Sequence, residues 1–426
     1  MVTFSVVRCV LQERPYGTDD QEIRSSCFVV THDGQRNKDM NQISDRLRGL
    51  VQSEIRRMSR ECERVGGINL GQGICDLPTI PELIDGAREA IEGSRATYSK
   101  FEGLDLLRQR IAAKMAHFNG VEVDPITEVI VTVGSTGGFA TATMATLNPG
   151  DEVILFEPYY GYHLNTLRVL GVTAKLVPLR EPSWEIDFDQ LRAAFTPRTR
   201  GIVVCTPSNP CGKVFTREEL EAIGALCREF GAWAFTDEIY EYIVYDGSRH
   251  LSMASIESCR DLTITISGFS KTFSVTGWRV GYVAAPPRIA ASIGLLNDLF
   301  YVCAPTPLQW GIARGLEVGD DYYRDLAISY QKKRDLLASA LRDIGLRPFV
   351  PQGAYYMLAD IASEFADDRE AASNLLESGG VASVPGSAFF QSDRGRSMIR
   401  FCFAKDFDSL EEACRRLRTM KMTSRP

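Results

Sequence analysis

The sequence predicts an α/β protein, with a large domain built on a mostly parallel sheet flanked by helices and a smaller α/β domain after it. Three observations predict this. The chain has 426 residues, of which 44% are hydrophobic, enough for a large domain with a full core plus a lesser one. From Val129 onward, short apolar runs alternate with helical stretches, the rhythm of parallel strands covered by helices. After about residue 325 that rhythm gives way to one long helical pattern and then isolated strand-like segments.

Residues 1–39 show no clear periodicity and are expected to form a poorly defined extension. Met40, Ile43, Leu47, Leu50, Val51, Ile55, Met58 and Cys62 then form a helical apolar stripe, which Gly66-Gly67 stops. Residues 40–85 are therefore read as an N-terminal helix and an arm that joins the smaller domain. Residues 86–325 make the large domain, with strands expected at Val129 to Val133, Glu152 to Phe156, Gly201 to Cys205, Ala232 to Phe235, Leu262 to Ile266 and Val280 to Ala284. Residues 326–426 make the C-terminal small domain, which includes Pro351-Gln-Gly-Ala-Tyr-Tyr-Met357 and Ile399-Arg-Phe-Cys-Phe-Ala404.

Composition narrows the partners. A net charge of -7 without a sustained basic stretch argues against nucleic acid, while leaving room for local cations around a small anion. Eleven cysteines without a C-x-x-C pair, and only four histidines, suggest neither a disulfide framework nor a metal site. The start, Met1 to Arg8, lacks a basic region followed by a cleavage site. No uncharged apolar stretch reaches the roughly 18 residues that cross a bilayer. A cytoplasmic protein with no membrane partner is expected.

In sheets of this kind ligands collect at the carboxyl ends of the strands, and the residues there are chemically rich. Gly134-Ser-Thr-Gly-Gly138 follows the first run, Thr206-Pro-Ser-Asn-Pro-Cys-Gly212 the third, Thr236-Asp-Glu-Ile-Tyr240 the fourth, and Ser267-Gly-Phe-Ser-Lys271 the fifth. Lys271 lies among small residues with Arg279 eight positions on, the pattern expected where an amine forms a Schiff base beside a bound phosphate. Ser135 and Thr136 open a helix, where free N–H groups and the helix dipole favour an anion. Each motif alone has a plainer reading: a surface lysine, an N-capped turn, or an aspartate capping a helix.

Together, in this order, these motifs resemble the class I and II aminotransferases, fold type I enzymes dependent on pyridoxal 5'-phosphate, over about Ile68 to Ala404. The resemblance implies a seven-stranded, mostly parallel sheet in the large domain and a homodimer with active sites at the subunit interface. It places Lys271 in the Schiff base and makes it the base that moves the α-proton, with Asp237 on the pyridine nitrogen and Tyr240 and Asn209 on the ring's phenolic oxygen. Ser135, Thr136 and Arg279 fall on the phosphate, and Tyr98 matches a tyrosine that reaches the phosphate of the neighbouring subunit. Tyr160 matches the aromatic stacked on the ring, although a shift of one position would select Tyr159.

Arg400 matches the arginine that grips the substrate α-carboxylate, near Asn209 and the backbone of Gly73. The implied reaction moves an α-amino group from an amino acid to a 2-oxo acid. Relatives such as the 1-aminocyclopropane-1-carboxylate synthases share most of these motifs, so a lyase or carbon–carbon bond-forming enzyme is the alternative. A transcriptional regulator with an aminotransferase-like domain would need a basic winged-helix segment that residues 1–60 do not offer. Two positions depart from the family pattern: Gly268 stands where many relatives carry a phosphate-binding serine, and Cys75 where they carry proline. Tyr301 to Gln309 holds no arginine for a second substrate carboxylate, and Tyr355 and Tyr356 would suit an aromatic or sulfur-containing side chain.

Overall fold

The computed structural model describes residues 44–47, 50 and 53–420; the expectation for residues 1–39 lies outside them. Of the anticipated apolar stripe, Met40, Ile43 and Val51 also lie outside the described residues, and the rest divides. Asp45–Leu47 is a single 3-10 turn, and the α-helix begins only at Glu54, where the Ser53 side chain accepts the Ile55 N–H, and runs to Val65. The cap supplies the start that apolar periodicity does not mark. Gly66, at φ 63°, closes the helix.

Fourteen strands follow among the described residues. Eight form the main sheet: β2 (Val129–Val133), β3 (Glu152–Glu157), β4 (Thr173–Arg180), β5 (Glu185–Ile186), β6 (Thr199–Cys205), β7 (Trp233–Asp237), β8 (Thr263–Gly268) and β9 (Val280–Ala284). Their order is β2-β9-β8-β7-β6-β3-β4-β5. Strands β4, β3, β6, β7 and β8 run parallel in sequence, and β9 lies antiparallel between β8 and β2. The expected seven strands are joined by β5, a two-residue strand antiparallel to the end of β4.

Strand β4 left no clear trace in the sequence because it is half exposed and carries Pro178. Proline is tolerated there: β5 pairs only with Leu179 and Arg180, so the Pro178 position needs no N–H on that side. Central strands β3 and β7 are buried nearly throughout, which is why they read as continuous apolar runs.

The remaining strands are β1 (Ile68–Asn69), β10 (Arg347–Phe349), β11 (Tyr356–Asp360), β12 (Val381–Ala382), β13 (Val384–Pro385) and β14 (Met398–Cys402). β1 pairs with β12, and the others form an antiparallel sheet in the order β10-β11-β14-β13. The long helix Asp320–Asp343 and the helix Phe407–Thr419 cover it, sharing a core of Leu337, Leu341, Met357, Phe401, Leu410 and Leu417. The helix Pro81–Glu92 packs instead on Thr306–Gly315, burying Leu83 against Ile312 and Ala313. Register carries the consequence for the site. Arg400 of β14 lies opposite Leu358 on one side and Val384 on the other, and Asp237 ends β7 between Cys205 and Ile266.

Candidate active site

The carboxyl ends of β6, β7 and β8 open onto a cavity of about 490 Å³. Gly73, Ser135, Thr136, Tyr160, Asn209, Asp237, Tyr240, Lys271, Arg279 and Arg400, each singled out from sequence, all line it. Tyr98 is not on this wall and is 80% exposed. Between the two candidate aromatics, Tyr160 faces the cavity, whereas Tyr159 is buried in the core beside Leu155 and Leu164.

At the anion-binding end, Gly134 opens the helix Gly134–Thr146 at φ 65°, a conformation costly for other residues. A Cβ on Gly134 would lie 2.6 Å from Arg279 Nη2, so only glycine lets the guanidinium rest against the turn. Arg279 donates from Nη1 to the Thr276 carbonyl at 2.9 Å. Ser270 and Thr276 join Ser135 and Thr136 on the wall. Gly268, by contrast, is packed away from the cavity, since a Cβ there would stand 3.1 Å from both Gly281 Cα and Ile239 Cδ1. Ser270 supplies the hydroxyl on this stretch.

Asp237 Oδ2 accepts a hydrogen bond from His163 Nε2 at 2.9 Å, and Oδ1 accepts from the Ile239 N–H at 3.3 Å. His163 is held edge-on to Tyr160 and packed on Phe139. Tyr240 donates to the Tyr356 hydroxyl at 3.2 Å. Burial, reinforced by Tyr356, holds the Tyr240 hydroxyl well above its usual range, so it is a proton donor at neutral pH.

Lys271 Nζ donates to the Gly73 carbonyl at 3.3 Å, which also accepts from Tyr355 Oη at 3.3 Å. Burial pulls the Lys271 amine below the ordinary lysine range, and the Arg279 charge acts in the same direction. A neutral amine is nucleophilic and basic, so the shift suits covalent and proton-transfer chemistry. The approach requires Gly73, because a Cβ there would fall 1.9 Å from Tyr356 Oη.

Arg400 is 1% exposed. It donates from Nη1 to Asn209 Oδ1 at 3.0 Å and from Nη2 to the Gly71 carbonyl at 2.6 Å, and lies over the Tyr356 and Phe389 rings at 4.3 and 4.5 Å. Its Nε has no hydrogen-bond partner, and no carboxylate pairs with it among the described residues. A buried guanidinium so placed is a receptor for a small carboxylate.

Tyr356, singled out from sequence only as a residue suited to an aromatic or sulfur-containing side chain, is on the wall as well, whereas His163, Ser270 and Arg56, which also line or support the cavity, were not foreseen. For His163 a signal was available: Asp237 at a buried strand end needs a partner, and His163 is one of only four histidines. Arg56 had none, since it sits in a charged helix far from the motifs.

An α/β sheet of this order, with an amine and a carboxylate at its strand ends and an imidazole and two guanidiniums brought to the same cavity from neighbouring elements, fits an enzyme of amino-group chemistry. Residues 65–417 match the family model for aminotransferase class I and II, and the chain belongs to that family. It is 35% identical to a probable N-succinyldiaminopimelate aminotransferase of Mycobacterium tuberculosis, over 87% of this chain and 97% of that protein. To human kynurenine–oxoglutarate transaminase 1 it is 33% identical, over 83% and 92%. Superposition on the solved N-succinyldiaminopimelate aminotransferase of M. tuberculosis gives a TM-score of 0.86, covering 89% of this chain and 100% of that one. The protein is an aminotransferase, and the lyase alternative is not favoured by relatives such as these. Among the described residues no helix is long and apolar enough to cross a membrane.

Proposed function

We propose that this enzyme is a homodimeric, cytoplasmic aminotransferase that binds pyridoxal 5'-phosphate through Lys271 and exchanges amino groups between α-amino acids and 2-oxo acids. The observation that carries the reading is the Lys271 amine, desolvated and open to a cavity whose other walls hold Asp237, Arg279 and Arg400. The residues fit the cofactor: the cradle of Gly134, Ser135, Thr136, Ser270 and Arg279 suits a phosphate, and the Asp237–His163 pair suits a protonated pyridine nitrogen. When bound, pyridoxal phosphate supplies an electron sink next to the substrate α-carbon.

Lys271 Nζ would hold the cofactor covalently, and once displaced by the incoming amine would take the α-proton and return it to the cofactor carbon on the other side of the amino nitrogen. Asp237 would keep the proton on the ring nitrogen, with His163 fixing the carboxylate and spreading its charge. Tyr240 and Asn209 would donate to the phenolic oxygen. Arg400 would bind the α-carboxylate, with Tyr160 against the ring face. Two features support a dimer. Tyr98 is exposed, as a residue serving the neighbouring site would be in one subunit alone. The helix Pro287–Tyr301 also presents Leu295, Leu299 and Phe300 at 67%, 74% and 53% exposure, an apolar face of the kind a second copy covers. Nine free cysteines among the described residues, seven of them buried, support a reducing compartment.

The test is incubation of purified, cofactor-loaded protein with a panel of amino acids and 2-oxoglutarate. Glutamate formed in step with the matching 2-oxo acid is the expected result; consumption without an acceptor would make the enzyme a lyase. Asp237→Ala should still bind cofactor yet lose about 10²-fold or more in kcat, measured with the best donor. Unchanged turnover would remove Asp237 from the mechanism.

A further inference from the structure

The charges around the cavity exceed what the proposed reaction uses. Its wall carries Arg56, Lys271, Arg279 and Arg400 against a single carboxylate, Asp237. In the reading above, a phosphate engages Arg279, an α-carboxylate engages Arg400, and Lys271 is the reacting amine. Arg56 is left over.

Arg56 is the third residue of the helix Glu54–Val65 and is exposed at the cavity. Its neighbours on this helix are paired: Arg57 with Glu54 at 2.7 Å and Arg64 with Glu61 at 2.8 Å. The Arg56 side chain has neither a hydrogen bond nor an ion pair among the described residues. The positive end of the helix dipole adds to its field, since Ser53 and Ile55 of the same turn also line the cavity.

The position of Arg56 is tied to that of Arg400. Ser59, one turn further along the helix, shares hydrogen bonds with Gln72 Oε1 at 2.9 Å and Asn69 Nδ2 at 3.0 Å. Asn69 Oδ1 in turn accepts the N–H groups of Gly71 and Gln72 at 2.9 and 3.0 Å, and the Gly71 carbonyl receives Arg400 Nη2. Met58 and Cys62 pack the same helix onto Ala372, Leu376 and Ala382. Two guanidiniums are thus mounted on one hydrogen-bonded scaffold, one buried and one at the rim. Such an arrangement measures the separation of two anionic groups.

We infer that Arg56 receives a second anionic group on the substrate, the side-chain carboxylate of a dicarboxylic amino acid or 2-oxo acid whose α-carboxylate is on Arg400. The inference rests on the aminotransferase reading and adds the substrate class. It differs from the expectation drawn from Tyr301 to Gln309, because the cation comes from the N-terminal helix.

The experiment compares glutamate with 2-aminopentanoate, its equal in chain length without the second carboxylate, as donors for the holoenzyme. In Arg56→Ala the ratio of kcat/KM for glutamate over 2-aminopentanoate should fall about tenfold, through KM, as expected for one charge-assisted contact at a partly solvated site. Arg56→Lys should recover part of it. Equal effects on both donors, or none on either, would overturn the proposal. Calorimetric titration with glutarate and with pentanoate reads the same subsite without turnover. Wild-type protein should prefer glutarate and Arg56→Ala should lose that preference; equal affinity in the wild type would again overturn it. A wild type that transfers no amino group sinks the aminotransferase reading, and the glutarate titration still decides the subsite.

Discussion

Lys271→Ala is expected to abolish amino transfer, lowering kcat by at least about 10⁴, the upper range for loss of one proton-transferring group. The same amine is asked both to hold the cofactor and to move the α-proton, so its removal deletes two functions at once. Lys271→Arg should be nearly as inactive, because a guanidinium is charged throughout the working range and neither adds to a carbonyl nor accepts a proton. Neither variant should unfold the protein. The Lys271 side chain is held by one 3.3 Å hydrogen bond to the Gly73 carbonyl, so circular dichroism and the thermal midpoint should stay near wild type. Product 2-oxo acid measured at high enzyme concentration checks the loss, and turnover within 100-fold of wild type would take Lys271 out of the reaction.

Lys114→Met is expected to destabilise the fold by about 3–5 kcal/mol, the range for breaking a buried ion pair on one side. Lys114 Nζ lies 2.5 Å from Glu241 Oε1, with side-chain exposures of 8% and 3%. Glu241 also accepts from Asn119 Nδ2 at 2.8 Å and Ser267 Oγ at 3.0 Å. Glu238 and His250 stand close by, paired at 2.9 Å. The carboxylates and imidazole of this cluster lie within metal-ligand reach of one another, and one of them, Glu241, is already paired with the Lys114 ammonium. Burial by itself would raise Glu241; Lys114 and His250 outweigh it, and the group is held below the ordinary carboxylate value.

A depressed folded-state value means that the pair stabilises the protein above the unfolded glutamate pKa of about 4.3 and loses that effect as pH falls through the folded one. The difference between wild type and Lys114→Met in urea unfolding should therefore be full at pH 7 and shrink in acid. Adding Glu241→Gln should restore much of the loss, since no buried charge is then left alone. A single variant within 1 kcal/mol of wild type would contradict the argument. Glu238 and Glu241 flank Tyr240 on the segment that follows Asp237, and Ser267 lies on β8 ahead of Lys271, so the integrity of the cluster also bears on where those groups point.

The sheet was legible where burial on both faces writes a continuous apolar run, as in β3, β7 and β9, and illegible at β4, whose half-exposed alternation is broken by Pro178. Among the described residues the N-terminal α-helix starts at Glu54, later than the apolar stripe suggests, because such a stripe does not show where a cap begins the hydrogen-bonded turns; Ser53 does that. Gly268 read as a weakened or rerouted phosphate contact; it is packed tightly against Gly281 and Ile239, and Ser270 lines the cavity instead.

Residues adjacent in the chain and set at strand ends could be recognised from order and spacing, because the motif itself carries the chemistry: Lys271 with Arg279, Asp237 with Tyr240, and the Gly134 turn. Partners that meet across long stretches of sequence have no such spacing. His163 reaches Asp237 over 74 residues, Tyr356 reaches Tyr240 over 116, and Arg56 is set against Arg400 only through Ser59, Asn69 and Gly71. The amino acids thus specified the class of reaction, while the choice between neighbouring tyrosines and the second cation at the rim emerged from register and packing, which bring distant side chains to hydrogen-bonding distance.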